Sequence, residues 1–183
     1  MHFFEILLIA IGLAMDAFAV AISKGLSMKK SYKNSLVIGL YFGFFQGLMP
    51  LIGYFLGFSF ESIVTKIDHY IAFTLLTIIG LSMILEKNEE EMDNKIDVKT
   101  MLLLSIATSI DALAVGVTFA FLDVNIISSV LTIGIITFFI SFLGVLIGNK
   151  FGNKLKNKAQ IFGGIILILT GLKILLEHLG YIF

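Results

Sequence analysis

The sequence predicts an all-α integral membrane protein: six transmembrane helices arranged as two inverted three-helix repeats. Three observations carry that expectation. There are six apolar stretches of spanning length, eleven of the thirteen lysines fall in alternate loops, and the chain resembles itself at a spacing of 95 residues.

The apolar stretches are 3–23, 34–58, 69–85, 101–122, 126–147 and 159–179. About 20 residues at 1.5 Å each cross a hydrocarbon core of about 30 Å. The chain is 58% hydrophobic and 14% charged, with mean hydropathy +1.01. Soluble domains hold about 45–50% apolar and about 25% charged residues. The opening MHFFEILLIA lacks a basic n-region, so the first segment is expected to be a permanent helix rather than a cleaved signal. Zero Cys excludes disulfides, thiolate metal sites and a Cys nucleophile, and zero net charge argues for no nucleic-acid partner. His2, His69 and His178 fall near the segment ends and are read as interfacial.

All thirteen basic residues are lysines, and all but Lys66 and Lys173 fall in loops 24–33, 87–99 and 150–158. The positive-inside rule puts those loops in the cytoplasm and both termini outside. The expected location is the plasma membrane.

At an offset of 95, Asp16, Ala17, Ala19 and Val20 fall on Asp111, Ala112, Ala114 and Val115. Gly39, Phe44, Gly53 and Gly57 fall on Gly134, Phe139, Gly148 and Gly152. GLSMILE (80–86) matches GLKILLE (171–177) at an offset of 91. The repeats are 1–87 and 99–183, joined by an acidic cytoplasmic linker, 88–98. Three crossings per repeat force the second to enter from the opposite side, an arrangement that puts substrate near the midplane where the repeats meet.

MDAFAVA (15–21) and IDALAVG (110–116) each place an Asp 10 to 13 residues into an apolar segment. At the centre of a membrane helix such a residue costs roughly 2.5–3.5 kcal/mol and reads by default as part of an ion or proton path. Gly12, Asp16, Ala19 and Ser23 form one helical stripe, echoed by Ala107, Asp111, Ala114 and Thr118. Small neighbours let another backbone approach each carboxylate. Two carboxylates make an oxygen-only site suited to a hard divalent cation.

Further ligand candidates are Gln46, Ser23, Thr108, Ser109 and Thr118, together with backbone carbonyls. Gln46 can equally hold helices together, and the hydroxyls can bond back to their own helices. Met15 and Met49 read as packing residues. Pro50 removes a helical hydrogen bond in the second segment and can free a carbonyl. Outward movement of a divalent cation against 100 mV costs about 4.6 kcal/mol, at about 2.3 per charge. With no GxxxxGK[ST] motif for ATP, exchange for two protons is the expected coupling.

The stretches AIGLAMDAFAVAISKG (10–25), FGFFQGLMPLIGYFLG (42–57), ATSIDALAVGVTFAFL (107–122) and GGIILILTGLKIL (163–175) resemble the MntP-type manganese efflux pumps, within the lysine-exporter-like superfamily. The resemblance implies a six-helix exporter of Mn²⁺, with Mn²⁺ as substrate and no resident cofactor. It maps the family's membrane acids onto Asp16 and Asp111. Some members carry Glu where this chain has Gln46.

An amino-acid exporter is the nearest rival. It would need a midplane cation for the substrate carboxylate, and the sequence reading offers none. An intramembrane aspartyl protease would also use two Asp, but SID and AMD replace its GxGD element. The expectation is a transporter, not an enzyme.

Overall fold

The computed structural model describes residues 3–85, 96–122, 124–155 and 159–180. Their regular structure is helical throughout: α1 (Phe3–Ser27), α2 (Tyr32–Leu85), α3 (Val98–Thr108), α4 (Ile110–Phe119), α5 (Ile126–Leu155) and α6 (Ala159–His178). No strand occurs among the described residues. Most of the acidic linker lies outside them.

Short polar side chains start three of the helices. The Asn34 amide donates to Ser31 Oγ at 3.3 Å before α2. The Thr100 amide donates to Asp97 Oδ2 at 2.8 Å before α3, and the Ser128 amide to Asn125 Oδ1 at 3.1 Å before α5. Each supplies an acceptor to an amide that lacks a helical partner. Phe3–Ser27, Tyr32–Gly57 and Ile126–Phe151 are each long and apolar enough to cross a bilayer, and α3 with α4 forms a fourth, bent candidate. The chain is a multi-pass membrane protein.

Two elements differ from the sequence expectation. First, 101–122 is not one helix. It breaks at Ser109, and α3 and α4 meet at a 44° bend. Second, 34–58 and 69–85 are not separated by a loop; they belong to one helical run of 54 residues. Straight, that run would measure about 81 Å. It is not straight.

Gln46 touches Leu13, Phe73 and Leu76 lie against Gly171 of α6, and α6 brings Lys173 to Asp16, one turn from Leu13. Residues 46 and 76 therefore share a level, although a rod would hold them about 45 Å apart. The run therefore folds back somewhere between Gln46 and Leu76.

Glycines decide how closely the helices cross. Along the α2–α5 contact, a Cβ at Gly43 would come 2.7 Å from the Gly134 carbonyl. One at Gly39 would come 3.1 Å from that of Phe138, and one at Gly47 3.0 Å from that of Val130. As the α2 number rises by four the α5 number falls by four, so the pair is antiparallel. Shifting one partner by +95 and the other by −95 turns Gly43–Gly134 into Gly39–Phe138. The same operation turns the α5–α1 contact Gly148–Ile22 into the α2–α4 contact Gly53–Val117. The sequence offset of 95 is thus also a rule of packing.

Buried residues of α1, α2, α3, α5 and α6 form one core cluster, which includes Val20, Phe42, Leu76, Leu104, Val145 and Leu167. A second gathers around Leu13, Ala112, Phe119 and Ile133. Exposed Leu, Ile and Phe side chains cover the outer faces, such as Leu40, Phe44, Leu131 and Phe139, as lipid-facing helices require.

A candidate cation site where α1, α2, α4 and α6 meet

Asp16 lies in the middle of α1 and is buried. Flanking Ala14 and Ala17, also buried, leave room for neighbouring helices to close over it. Asp111 is the second residue of α4, just past the break, and is half-buried. Its Oδ1 accepts the Ala112 amide at 2.8 Å. The Asp111 carboxylate lies within the electrostatic reach of Asp16 and Lys173, and the Gln46 side chain is close enough to hydrogen-bond with it. The two acids that the repeat relates are brought together.

Gln46 joins them from α2. It is fully buried, its Nε2 donates to the Leu13 carbonyl at 3.1 Å, and its Oε1 has no partner among the described residues. Pro50 has no N–H to offer the Gln46 carbonyl one turn earlier, so that oxygen lacks its helical donor. A Cβ on Gly116 would run into the backbone of Pro50, and this close crossing seats α4 on α2.

The other sequence candidates divide. Thr108 and Ser109 are buried at the break: Thr108 Oγ1 donates to the Leu104 carbonyl at 3.0 Å, and Ser109 Oγ to that of Ser105 at 2.7 Å. Their oxygens keep lone pairs for a cation. Ser23 is buried but lies seven residues beyond Asp16, about 10 Å along α1. Thr118 is exposed, donates to the Ala114 carbonyl at 3.2 Å, and lies equally far from Asp111. Asp16, Asp111 and Gln46 thus lie together, with the Thr108–Ser109 break beside them. Among the described residues no group of three or more His, Cys, Asp or Glu forms, so the two carboxylates stand with neutral oxygens.

Lys173 is the residue the sequence reading passed over. Its Nζ stands 3.1 Å from Asp16 Oδ1. The expectation that no cation lies near the acids is therefore corrected. The available signal was a lysine inside the sixth apolar stretch, which is costly there and reads by default as functional.

Residues 29–175 match the family described as "Putative manganese efflux pump". The chain belongs to that family. Its manganese-efflux relatives align over nearly their full lengths. A protein of Desulfitobacterium hafniense named "Putative manganese efflux pump MntP" is 61% identical, with 97% of this chain and 96% of the relative covered. Relatives of the same name in Acetivibrio thermocellus and Campylobacter jejuni are 59% and 54% identical. They align with 97% and 99% of this chain and with 92% and 100% of their own lengths. No solved structure matches the chain.

Proposed function

We propose that the chain exports Mn²⁺ from the cytoplasm across the plasma membrane, by alternating access at a site built on Asp16 and Asp111. One observation carries the reading: two acids from separate helices, each within an apolar stretch, lie within each other's field beside Gln46 Oε1, which has no partner among the described residues. Oxygen donors of this kind suit Mn²⁺ or Mg²⁺, and membership of the efflux family favours Mn²⁺.

The architecture in this reading is six crossings in two inverted repeats, 1–87 and 99–183, with both termini outside. The doubling back of α2 supplies the extra crossing, and the exchange of contacts at an offset of 95 supports the pseudo-two-fold relation. The bent pair α3–α4 is the kind of discontinuous helix that transporters place at their substrate. Outward movement of a divalent ion against 100 mV costs about 4.6 kcal/mol. Return of the emptied site with two protons would make the cycle electroneutral.

Lys173 gives the amino-acid exporter the cation that this rival lacked, yet its ammonium is already engaged by Asp16. Family membership weighs against both this rival and the protease. Cellular manganese content under Mn²⁺ stress tests the proposal. Asp16→Asn and Asp111→Asn should each accumulate manganese like a deletion strain, and wild-type-like export by both would sink it. Sensitivity to excess lysine instead would favour the rival.

A further inference from the structure

We propose that Lys173 is a tethered counter-cation that sets the charge threshold for loading the site. It yields to divalent cations and turns monovalent ones away. The inference rests on the cation-site reading above and gives a role to a residue outside both Asp motifs.

The ammonium reaches across from α6 to Asp16 Oδ1, 3.1 Å away, and its charge also acts on Asp111. The two partners are unequally enclosed: the Asp16 side chain is 11% exposed and that of Lys173 is 47% exposed. The lysine is thus the more open partner, and rotation about its long stem is the less hindered way to part the pair. Asp16, set in a stripe of buried alanines, has no such freedom.

Charge arithmetic then sorts the ions. Two carboxylates and one ammonium leave a single negative charge. A monovalent cation that evicts Lys173 replaces one unit charge by another and gives up a charge-assisted hydrogen bond. One that binds alongside must sit against the ammonium. A divalent cation that evicts Lys173 neutralises both carboxylates at once. The same competition aids release, because the ammonium can reclaim Asp16 as the ion departs and hold it until a proton takes its place, and transport requires that binding be reversible.

The test is Mn²⁺ binding to the purified full-length protein in nanodiscs, read by the loss of the free Mn²⁺ paramagnetic resonance signal. Lys173→Gln should bind Mn²⁺ roughly ten-fold more tightly than wild type in Na⁺-free buffer. It should lose most of that gain in about 0.15 M NaCl, whereas the wild type changes little. Lys173→Arg keeps the charge and should resemble wild type. Lys173→Met replaces the Gln variant if the latter is not recovered folded. A neutral variant that binds no more tightly, or an Arg variant that behaves like the Gln variant, overturns the proposal. Asp16→Asn separates the two levels: its retention of full Mn²⁺ binding would remove the site itself.

Discussion

Gln46 donates its Nε2 hydrogen to the Leu13 carbonyl, 3.1 Å away, and so ties α2 to α1 one turn before Asp16. The carbonyl of Leu13 lies inside a helix, so losing the amide should leave no orphaned acceptor there. Gln46→Leu should therefore cost only about 0.5–1.5 kcal/mol of stability. Its effect on export should be much larger, because Oε1 would be lost from the site. Gln46→Glu adds a third negative charge but loses the bond to Leu13 unless protonated; it should melt earlier and bind Mn²⁺ more tightly. Thermal unfolding in nanodiscs, set beside cellular manganese content, checks both. Loss of export in proportion to loss of folded Gln46→Leu protein would leave Gln46 as a strut only.

A second expectation concerns the glycine crossings. A Cβ at Gly116 would collide with the Pro50 carbonyl and crowd its Cα, all of it backbone that cannot step aside. Gly116→Ala should destabilise by about 1–3 kcal/mol, the usual cost of overpacking. Gly12 meets nothing within 4 Å. Gly12→Ala should be neutral, or stabilise by roughly 0.5–1 kcal/mol through helix propensity. The unfolding midpoint of Gly116→Ala should fall, while that of Gly12→Ala should hold or rise. Equal losses would mean that the crossing is looser than its geometry implies.

At the start of α3, Asp97 is a titrating cap. The Thr100 hydroxyl, followed by the Thr100 amide, holds its carboxyl below the usual carboxylate range. A depressed folded pKa gives stability that is present above the unfolded value of about 3.9 and is lost as pH falls through the folded one. Asp97→Ala should therefore melt below wild type at neutral pH, with the gap closing in acid. Asp97→Asn keeps a capping acceptor and should fall between them. A gap that persisted unchanged into acid would show that the charge contributes nothing.

Much of this arrangement could be read from residue order. The offset of 95 relates Asp16 to Asp111 and also carries one set of glycine crossings onto another, because backbone contact at a crossing needs a missing side chain on at least one partner. Gln46 was legible as a lone amide in an apolar run. Two features were not. The pairing of Lys173 with Asp16 depends on how α6 lies against α1, and no periodicity within one helix encodes that. The folding back of α2 between Gln46 and Leu76 was hidden because residues 58–69 carry no glycine or proline to mark a turn.

The break at Ser109 was half-legible, and it yields the last prediction. Thr108 and Ser109 stand where the first half has Leu13 and Ala14, and α1 runs through that position unbroken. Ser109 Oγ donates to the Ser105 carbonyl at 2.7 Å, a carbonyl whose helical donor would be the Ser109 amide, and that amide turns instead to Ile106 at 3.1 Å. The hydroxyl thus occupies the acceptor that a continuous helix would use, a recognised route to helix bending. Ser109→Ala removes this competitor and inserts the strongest helix former, so α3 and α4 should straighten. Spin labels at the exposed positions Leu102 and Thr118 should then move apart. The accompanying shift of Asp111 away from Asp16 should weaken Mn²⁺ binding several-fold. An unchanged label separation would mean that tertiary packing, not the Ser109 hydroxyl, holds the 44° bend.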